Sequence, residues 1–440
     1  MGYRLVRVLV RLLLAIFYRS IDVVGGERIP GRGPLIVAAN HHNSVVDAML
    51  LLAVVPRRLR TLANAPLFRH PLIGPFLHLM GALPVHRRKE AGNDPTRNAA
   101  LFAGTTRTLR GGGAILIFPE GRTQPEPVLL ELRTGAARML LEAEAGPPLD
   151  VKLLPVGLVF RDPGTFRAGR ALALVGEPIA TDECVALARE EPERAARILT
   201  TRLAEALRQL IVETGDRESM RLLELVADLV QQGSRPAREA ERVARLQRGL
   251  RAYAFLRKQH GERVAALRTR IEEFARDLEA EGMALAQLSR SYPAAAVLGF
   301  AAREGLAILL GLPLALIGMI LHAIPYQLTA VVVRMMNRTD EEEATDKIAA
   351  GLLFFPLAWA VEGFTAYALG GGKALAVFLV ALVPAGFFAL AWRERLHRAG
   401  REALAFARYV ADPGRPRRFA ARRRALAAEL AELLRLAADA

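Results

Sequence analysis

The stretch Ala39-Asn40-His41-His42-Asn43-Ser44-Val45-Val46-Asp47 holds the residue types of this chain best suited to moving a proton. An imidazole titrates near neutrality, and a carboxylate at one ring nitrogen fixes the tautomer and leaves the other to take a proton from a hydroxyl. The stretch joins an apolar run that reads as a strand to a helical pattern, with Ser44 placed as N-cap and Asp47 at the third helical position. A histidine just before a helix and an aspartate in its first turn can fold back to meet, whereas inside one helix they would point roughly 140° apart. His42 and Asp47 are therefore the expected base and its orienting carboxylate. A plainer reading makes Asp47 a capping residue and His42 a loop residue. A metal pair of His41 and His42 is disfavoured, because adjacent side chains diverge and no acidic or cysteine cluster accompanies them.

Three further clusters could hold an anion. Phe118-Pro119-Glu120-Gly121-Arg122-Thr123 follows the buried-looking run Ala114 to Phe118, and polar groups at the carboxyl end of such a strand sit where open α/β sheets place ligands. Glu120 and Arg122 there could hold a phosphate or order other arginines around it. Gly81 to Lys89 joins a short strand to a dense cationic turn containing Arg87. Phe166-Arg167-Ala168-Gly169-Arg170-Ala171 precedes another strand. Each alone also fits a solvated turn.

The elements that must position these residues are legible from period and punctuation. Strands are expected at 21–24, 35–39, 114–118, 152–160 and 171–175, and helices near 45–55, 71–80, 95–110 and 131–145. The alternation argues for an α/β domain, a central mixed sheet flanked by helices, over residues 21–215. Residues 1–20 place Arg4, Arg7, Arg11 and Arg19 among apolar residues and read as an interfacial membrane helix rather than a signal peptide. Residues 216–291 carry amphipathic helices, with Val264, Leu267, Ile271, Phe274 and Leu278 on one stripe.

Residues 292–392 hold three apolar runs, 305–323, 348–369 and 374–392. At about 1.5 Å per residue each can cross a hydrocarbon core of roughly 30 Å. The expectation is a transmembrane hairpin of the last two, with 305–333 re-entrant or interfacial. Residues 393–440 are rich in arginine and are expected as a basic cytoplasmic tail.

Composition agrees with a partly membrane-embedded protein. Of 440 residues, 52% are hydrophobic and 24% charged, and the net charge is +15. Such a surface suits phosphate-rich partners. Only 6% of residues are aromatic and no zinc-finger spacing occurs, which argues against nucleic acid. The single cysteine, Cys184, permits no internal disulfide and is expected to be a small buried residue.

The order of these blocks resembles the glycerolipid (phospholipid/glycerol) acyltransferases. His42-Asn43-Ser44-Val45-Val46-Asp47 is similar to that family's His-four-residues-Asp motif, Gly81 to Arg87 to its second block, Phe118-Pro119-Glu120-Gly121 to the third and Leu154-Pro155-Val156 to the fourth. Arg167 and Arg170 resemble the Phe-Arg-Ser-Arg element of glycerol-3-phosphate acyltransferases, and the C-terminal runs resemble the membrane-bound glycerol-3-phosphate/dihydroxyacetone-phosphate subgroup. Three departures stand out. His41 occupies the position usually held by Asn, Arg122-Thr123 inverts the frequent order, and Gly169 inserts one residue into the arginine element.

The resemblance implies direct acyl transfer from acyl-CoA or acyl carrier protein to a hydroxyl of glycerol-3-phosphate or lysophosphatidate. His42 would be the general base and Asp47 its partner, with Arg87, Glu120, Gly121, Arg122 and Arg170 around the acceptor phosphate. Backbone N–H groups near the 118–121 turn would steady the oxyanion. No metal or cofactor is implied. The expected partners are membrane lipids, the thioester donor and the glycerophosphate-type acceptor, at a cytoplasmic membrane with the catalytic domain on the cytoplasmic side. The rival from another class is a noncatalytic lipid-binding scaffold.

Overall fold

The computed structural model of the protein describes residues 2–69, 73–86, 96–124, 126–161, 166–167, 169–230, 239–281, 283, 285, 288, 294–336, 340–412 and 414–438. The chain forms two compact units: the first holds 1–220, 237–247 and 338–348, and the second holds 221–236, 248–337 and 349–440.

The first unit is built on seven strands, β1 (Ser20–Val24), β2 (Leu35–Ala39), β3 (Leu59–Asn64), β4 (Leu83–Val85), β5 (Ala114–Ile117), β6 (Lys152–Arg161) and β7 (Arg170–Val175). They form one sheet in the order β1-β7-β6-β2-β5-β3-β4. Its helices are α1 (Gly2–Phe17), α2 (Ser44–Val54), α3 (Ile73–Met80), α4 (Thr96–Arg110), α5 (Gly135–Glu144), α6 (Asp182–Leu187) and α7 (Pro192–Leu210). Only β6 and β7 pair antiparallel, so the sheet is mixed, as expected. Leu35, Val37, Ala39, Ala114 and Leu116 face a core shared with α1 and α2. Ile36, Ala38, Ile115 and Ile117 face the opposite core, under α4, α5 and α7. Burial on both faces is why these strands read as unbroken apolar runs. Cys184 is buried in the second core, as a small apolar residue would be.

β3 is not among the strands expected from sequence, because Arg60 and Thr61 break the apolar pattern; its register with β5 and β4 places it inside the sheet. Helix α1 packs on the sheet's first core. Val6, Val10, Leu14 and Phe17 are buried in the first core, while Leu5, Val8 and Leu12 on the other side are exposed. The Arg7 and Arg11 guanidinium groups donate to the Ala53 carbonyl at the C-terminal end of α2, where unsatisfied carbonyls and the helix dipole favour a cation.

Helices α8 (Arg217–Val230) and α9 (Glu239–Gln259) contribute to both units, and α10 (Gly261–Ala280) lies in the second. Two long apolar helices follow, α11 (Ala294–Met336) and α12 (Asp340–Ala411), and then α13 (Gly414–Ala438). Gly371, at φ 66° and ψ −159°, breaks α12 between the runs expected to form a hairpin. Gly363 on the first half lies close enough that an added Cβ would contact Phe378 on the second. The two halves do fold against each other.

The run 305–333 is not the re-entrant segment that was one of its two expected forms. It lies within one 43-residue helix, continuous through Pro313 and Pro325. Contacts with the second half of α12 support it. Trp392 Nε1 donates to Ile308 O at 2.9 Å, Arg395 pairs with Glu304 at 2.6 Å, and a Cβ on Gly318 would lie 2.1 Å from Ala385 O. Small residues at such crossings let helix backbones approach closely. Both α11 and α12 are long and apolar enough to cross a membrane. Leu310 is 70% exposed and Ile320 70%, exposures that the core helix of a water-soluble domain would not show.

The arginine-rich end is not a tail. Leu426, Leu430 and Leu433 of α13 pack with Val264, Leu267, Ile271, Phe274 and Leu278 of α10 in a third core. Arg263–Glu432, Arg270–Glu429 and Arg422–Asp277 pairs flank it. The leucine stripe inside 414–438 makes a packed helix of part of the segment that its charge suggested was a basic tail.

Candidate active site

β2 is the central strand, and its last residues deliver the site at the carboxyl edge of the sheet. Asn40, fully buried, donates from Nδ2 to Leu158 O at 2.9 Å and accepts from Leu158 N at 2.6 Å. This amide pair fixes the end of β2 to β6. The chain then turns through His41 and His42 into α2.

Asp47 is buried completely, and three donors converge on its Oδ2, each at 2.8 Å: the His42 and Asn43 backbone N–H groups and His41 Nδ1. The first two are groups that a helix start leaves without intrahelical partners. The N-cap is Asn43, not the expected Ser44, and it makes no side-chain cap bond; the Ser44 backbone is held at φ 47°, in the left-handed region. Non-glycine residues rarely adopt that conformation, and it collects at functional turns.

The expected contact between Asp47 and the His42 ring is replaced. The Asp47 carboxylate meets the imidazole of His41, while His42 Nδ1 lies 2.9 Å from Gln124 O. A carbonyl and a carboxylate only accept, so each ring carries its hydrogen on Nδ1 and presents a bare Nε2 when neutral. The cause is the left-handed turn: it brings His42 to Asp47 through its main chain and leaves its side chain to the 118–130 loop. The His41 ring lies flat on Phe118, with centroids 4.1 Å apart and planes 13° apart.

Glu120 was expected at the acceptor phosphate, but it is a clamp. Its Oε1 accepts the His41 N–H at 2.8 Å and its Oε2 the Leu130 N–H at 3.0 Å, and the residue is buried. Burial pushes its carboxyl above the ordinary value, opposed by the Leu130 hydrogen bond, the charge of His42 and the bond from His41. Gly121 has φ 71°, and a Cβ there would sit 2.7 Å from Arg133 Nε. Only glycine fits that turn without strain or displacement of Arg133. The Gly121 N–H is bonded to Phe118 O and Pro119 has none, so neither can serve the expected oxyanion site.

Arg122 is exposed beside this turn and makes no ion pair among the described residues. Arg87 lies outside the described residues. Arg170, at the start of β7, is paired with a carboxylate: its Nη1 is 2.9 Å from Oε1 of buried Glu239, which Arg242 also approaches at 3.3 Å. The residues that sequence reasoning missed are Tyr18, Asn40, Asn43 and Gln124. Asn43 donates to the Tyr18 hydroxyl at 2.8 Å, and Gln124 accepts from the His42 ring while its N–H bonds His41 O. Asn40 and Asn43 were visible beside the histidine motif, but the partners that the four residues find, up to 118 residues away in sequence, were not.

Residues 20–159 match the family model described as Acyltransferase. The first unit carries an acyltransferase domain. The match spans β1 to most of β6 and contains His41, His42, Asp47 and Glu120. Similar chains include an uncharacterised acyltransferase of Schizosaccharomyces pombe, 24% identical over 48% of this chain and 44% of its own length. Glycerol-3-phosphate O-acyltransferase 2 of Saccharomyces cerevisiae is 28% identical over 30% of this chain and 18% of its own. The 1-acyl-sn-glycerol-3-phosphate acyltransferase of Bacillus subtilis is 24% identical over 44% and 87%. The alignments thus span less than half the length of the two fungal relatives. The crystal structure of the 1-acyl-sn-glycerophosphate (LPA) acyltransferase PlsC from Thermotoga maritima aligns with this chain at 18% identity and a TM-score of 0.35, over 48% of this chain and 78% of that one.

Proposed function

We propose that this protein moves a fatty acyl group from a thioester, acyl-CoA or acyl carrier protein, to a hydroxyl of glycerol-3-phosphate or lysophosphatidate. The observation that carries the reading is the buried Asp47 carboxylate held against an imidazole at the carboxyl end of the central strand. The imidazole Nε2 takes the acceptor's hydroxyl proton as the oxygen attacks the thioester carbonyl. The new C–O bond forms, the C–S bond breaks, and the proton passes to the departing thiolate sulfur. Asp47 steadies the imidazolium in between. No covalent acyl-enzyme is required.

Glu120 and Gln124 hold the histidine main chain in place from the opposite loop. Exposed Arg122, beside the expected third block, offers a cation for the acceptor phosphate, and Arg87 of the expected second block a further one. Arg170 is withdrawn from that role by its pairing with Glu239. A product that leaves as a lipid fits a protein whose α11 and α12 embed in a membrane, and the exposed Leu5, Val8 and Leu12 of α1 add a second apolar surface. We place the acyltransferase domain on the cytoplasmic face, where the thioester donors are made.

The test incubates the full chain in detergent with labelled acyl-CoA or acyl carrier protein and a panel of glycerol-3-phosphate, dihydroxyacetone phosphate and lysophosphatidate. Thiol release matched by a labelled ester in one acceptor arm is expected. Binding of these lipids with no ester in any arm would favour the scaffold reading instead.

A further inference from the structure

We infer that His41, rather than His42, is the histidine that removes the acceptor's proton, with Asp47 as its partner across a spacing one residue longer than the expected motif. The inference rests on the acyl-transfer reading above and names the base within it.

Both rings are held through Nδ1, and both present Nε2. What separates them is the group behind. A base becomes a cation when it takes a proton, and the charge then sits on the ring facing its Nδ1 partner. His41 faces, at 2.8 Å, the fully buried Asp47 carboxylate, whose charge is screened little. His42 faces a neutral main-chain carbonyl, which stabilises a cation less. Glu120 is near both rings but spends both oxygens on backbone N–H groups, so it adds no hydrogen bond to either imidazole.

Orientation points the same way. The His41 backbone is pinned on both sides, its N–H by Glu120 and its carbonyl by the Gln124 N–H at 3.2 Å, and its ring is stacked on Phe118. A base held this rigidly meets the acceptor hydroxyl in one geometry. The longer spacing is accommodated where Ser44 turns into the left-handed region, which carries the His42 and Asn43 N–H groups over Asp47 and swings the His42 ring toward Gln124. Asn40 then directly precedes the base, and the sequence departure at position 41 becomes a one-residue shift of the motif. His42 acts as a positioning residue that ties the β2 loop to the 118–130 loop.

The experiment measures kcat for the full-length His41→Ala, His42→Ala and Asp47→Asn proteins, and for each histidine variant combined with Asp47→Asn. The asparagine oxygen can still accept the backbone N–H groups, so the loop keeps its acceptors while the charge is lost. His41→Ala is expected to lower kcat by about a hundred- to ten-thousandfold, the usual cost of losing a general base, and His42→Ala by about tenfold or less. Adding His41→Ala to Asp47→Asn should cost little further, because the two act as a unit, whereas adding His42→Ala should multiply. If both single variants are strongly impaired through folding or loop damage, the same cycles decide: coupling of Asp47 to His41 supports the inference and coupling to His42 overturns it. A large loss in His42→Ala beside near-normal His41→Ala would also overturn it, leaving acyl transfer intact. Near-normal kcat in both would show that neither histidine is the base and would also overturn the inference.

Discussion

Asn40 offers a direct measure of how the fold holds the site. Replacing it with alanine leaves the Leu158 N–H and carbonyl, now bonded at 2.6 and 2.9 Å, without partners inside the sheet. Each stranded buried group costs about 1–3 kcal/mol, and water entering the vacated space recovers part, so the loss should be about 2–4 kcal/mol. At about 1.4 kcal/mol per tenfold, that is roughly a 30- to 700-fold loss of protection if exchange follows the opening of this region. Native-state hydrogen exchange at the Leu158 amide, whose hydrogen the Asn40 side chain accepts, reads this directly. Because Asn40 immediately precedes His41, kcat should fall alongside.

Asn40→Asp separates donor from acceptor. A protonated carboxyl can donate to Leu158 O, but an ionised one faces that carbonyl with two acceptors. The folded-state pKa of the new group should therefore lie above the unfolded value of about 3.9. The resulting stability is present below that unfolded value and is lost as pH rises through the folded pKa. Asn40→Asp should resemble wild type near pH 4 and match or fall below Asn40→Ala at neutral pH. Unchanged Leu158 protection in Asn40→Ala, or a pH-independent Asn40→Asp, would refute the reasoning.

Three other outcomes are expected. Tyr18→Phe strands the Asn43 amide donor and should destabilise the acyltransferase domain by about 1–3 kcal/mol in thermal unfolding. Burial, and then the charge of Asp47, raise the Tyr18 phenol above its ordinary value, so its contribution is intact below about pH 10 and is lost as pH rises through the folded-state value. That alkaline slope should shrink in the phenylalanine variant, and an unchanged slope would count against it. Arg170→Ala should lower stability through the exposed need of buried Glu239 for its cation, and leave acceptor KM unchanged; a selective rise in KM would instead return Arg170 to the substrate. The full chain should stay in membranes through a high-salt wash and require detergent, because screening does not extract apolar spans like α11 and α12; release by salt alone would show that they do not span.

Much of the fold could be read from short-range pattern. The strands at 35–39, 114–117 and 152–161 stand out because burial on both faces demands unbroken apolar residues. The helical hairpin around Gly371 was legible for a similar reason: the apolar runs at 348–369 and 374–392 can only be helices, and glycine breaks them. β3 escaped because Arg60 and Thr61 hide a strand that the sheet nevertheless pairs on both sides. The 414–438 helix escaped because its arginines mask a leucine stripe whose partner lies some 150 residues earlier, as in the Arg270–Glu429 pair 159 residues apart.

The sequence by itself determined that a histidine and Asp47 would meet at the end of a strand, since their types, spacing and strand-to-helix setting are local properties. It also determined where apolar helices would form, because length and hydropathy are sums along the chain. Which histidine meets Asp47 was decided only by the tertiary structure, for the choice depends on the left-handed turn at Ser44 and on the Gln124 carbonyl, 82 residues away. Glu120 became a clamp, and not a ligand for phosphate, because folding brings the His41 and Leu130 N–H groups to its two oxygens. Arg170 lost its place at the phosphate to Glu239, 69 residues later, because a buried carboxylate has to be paired, and the nearest cation is fixed by packing rather than by sequence.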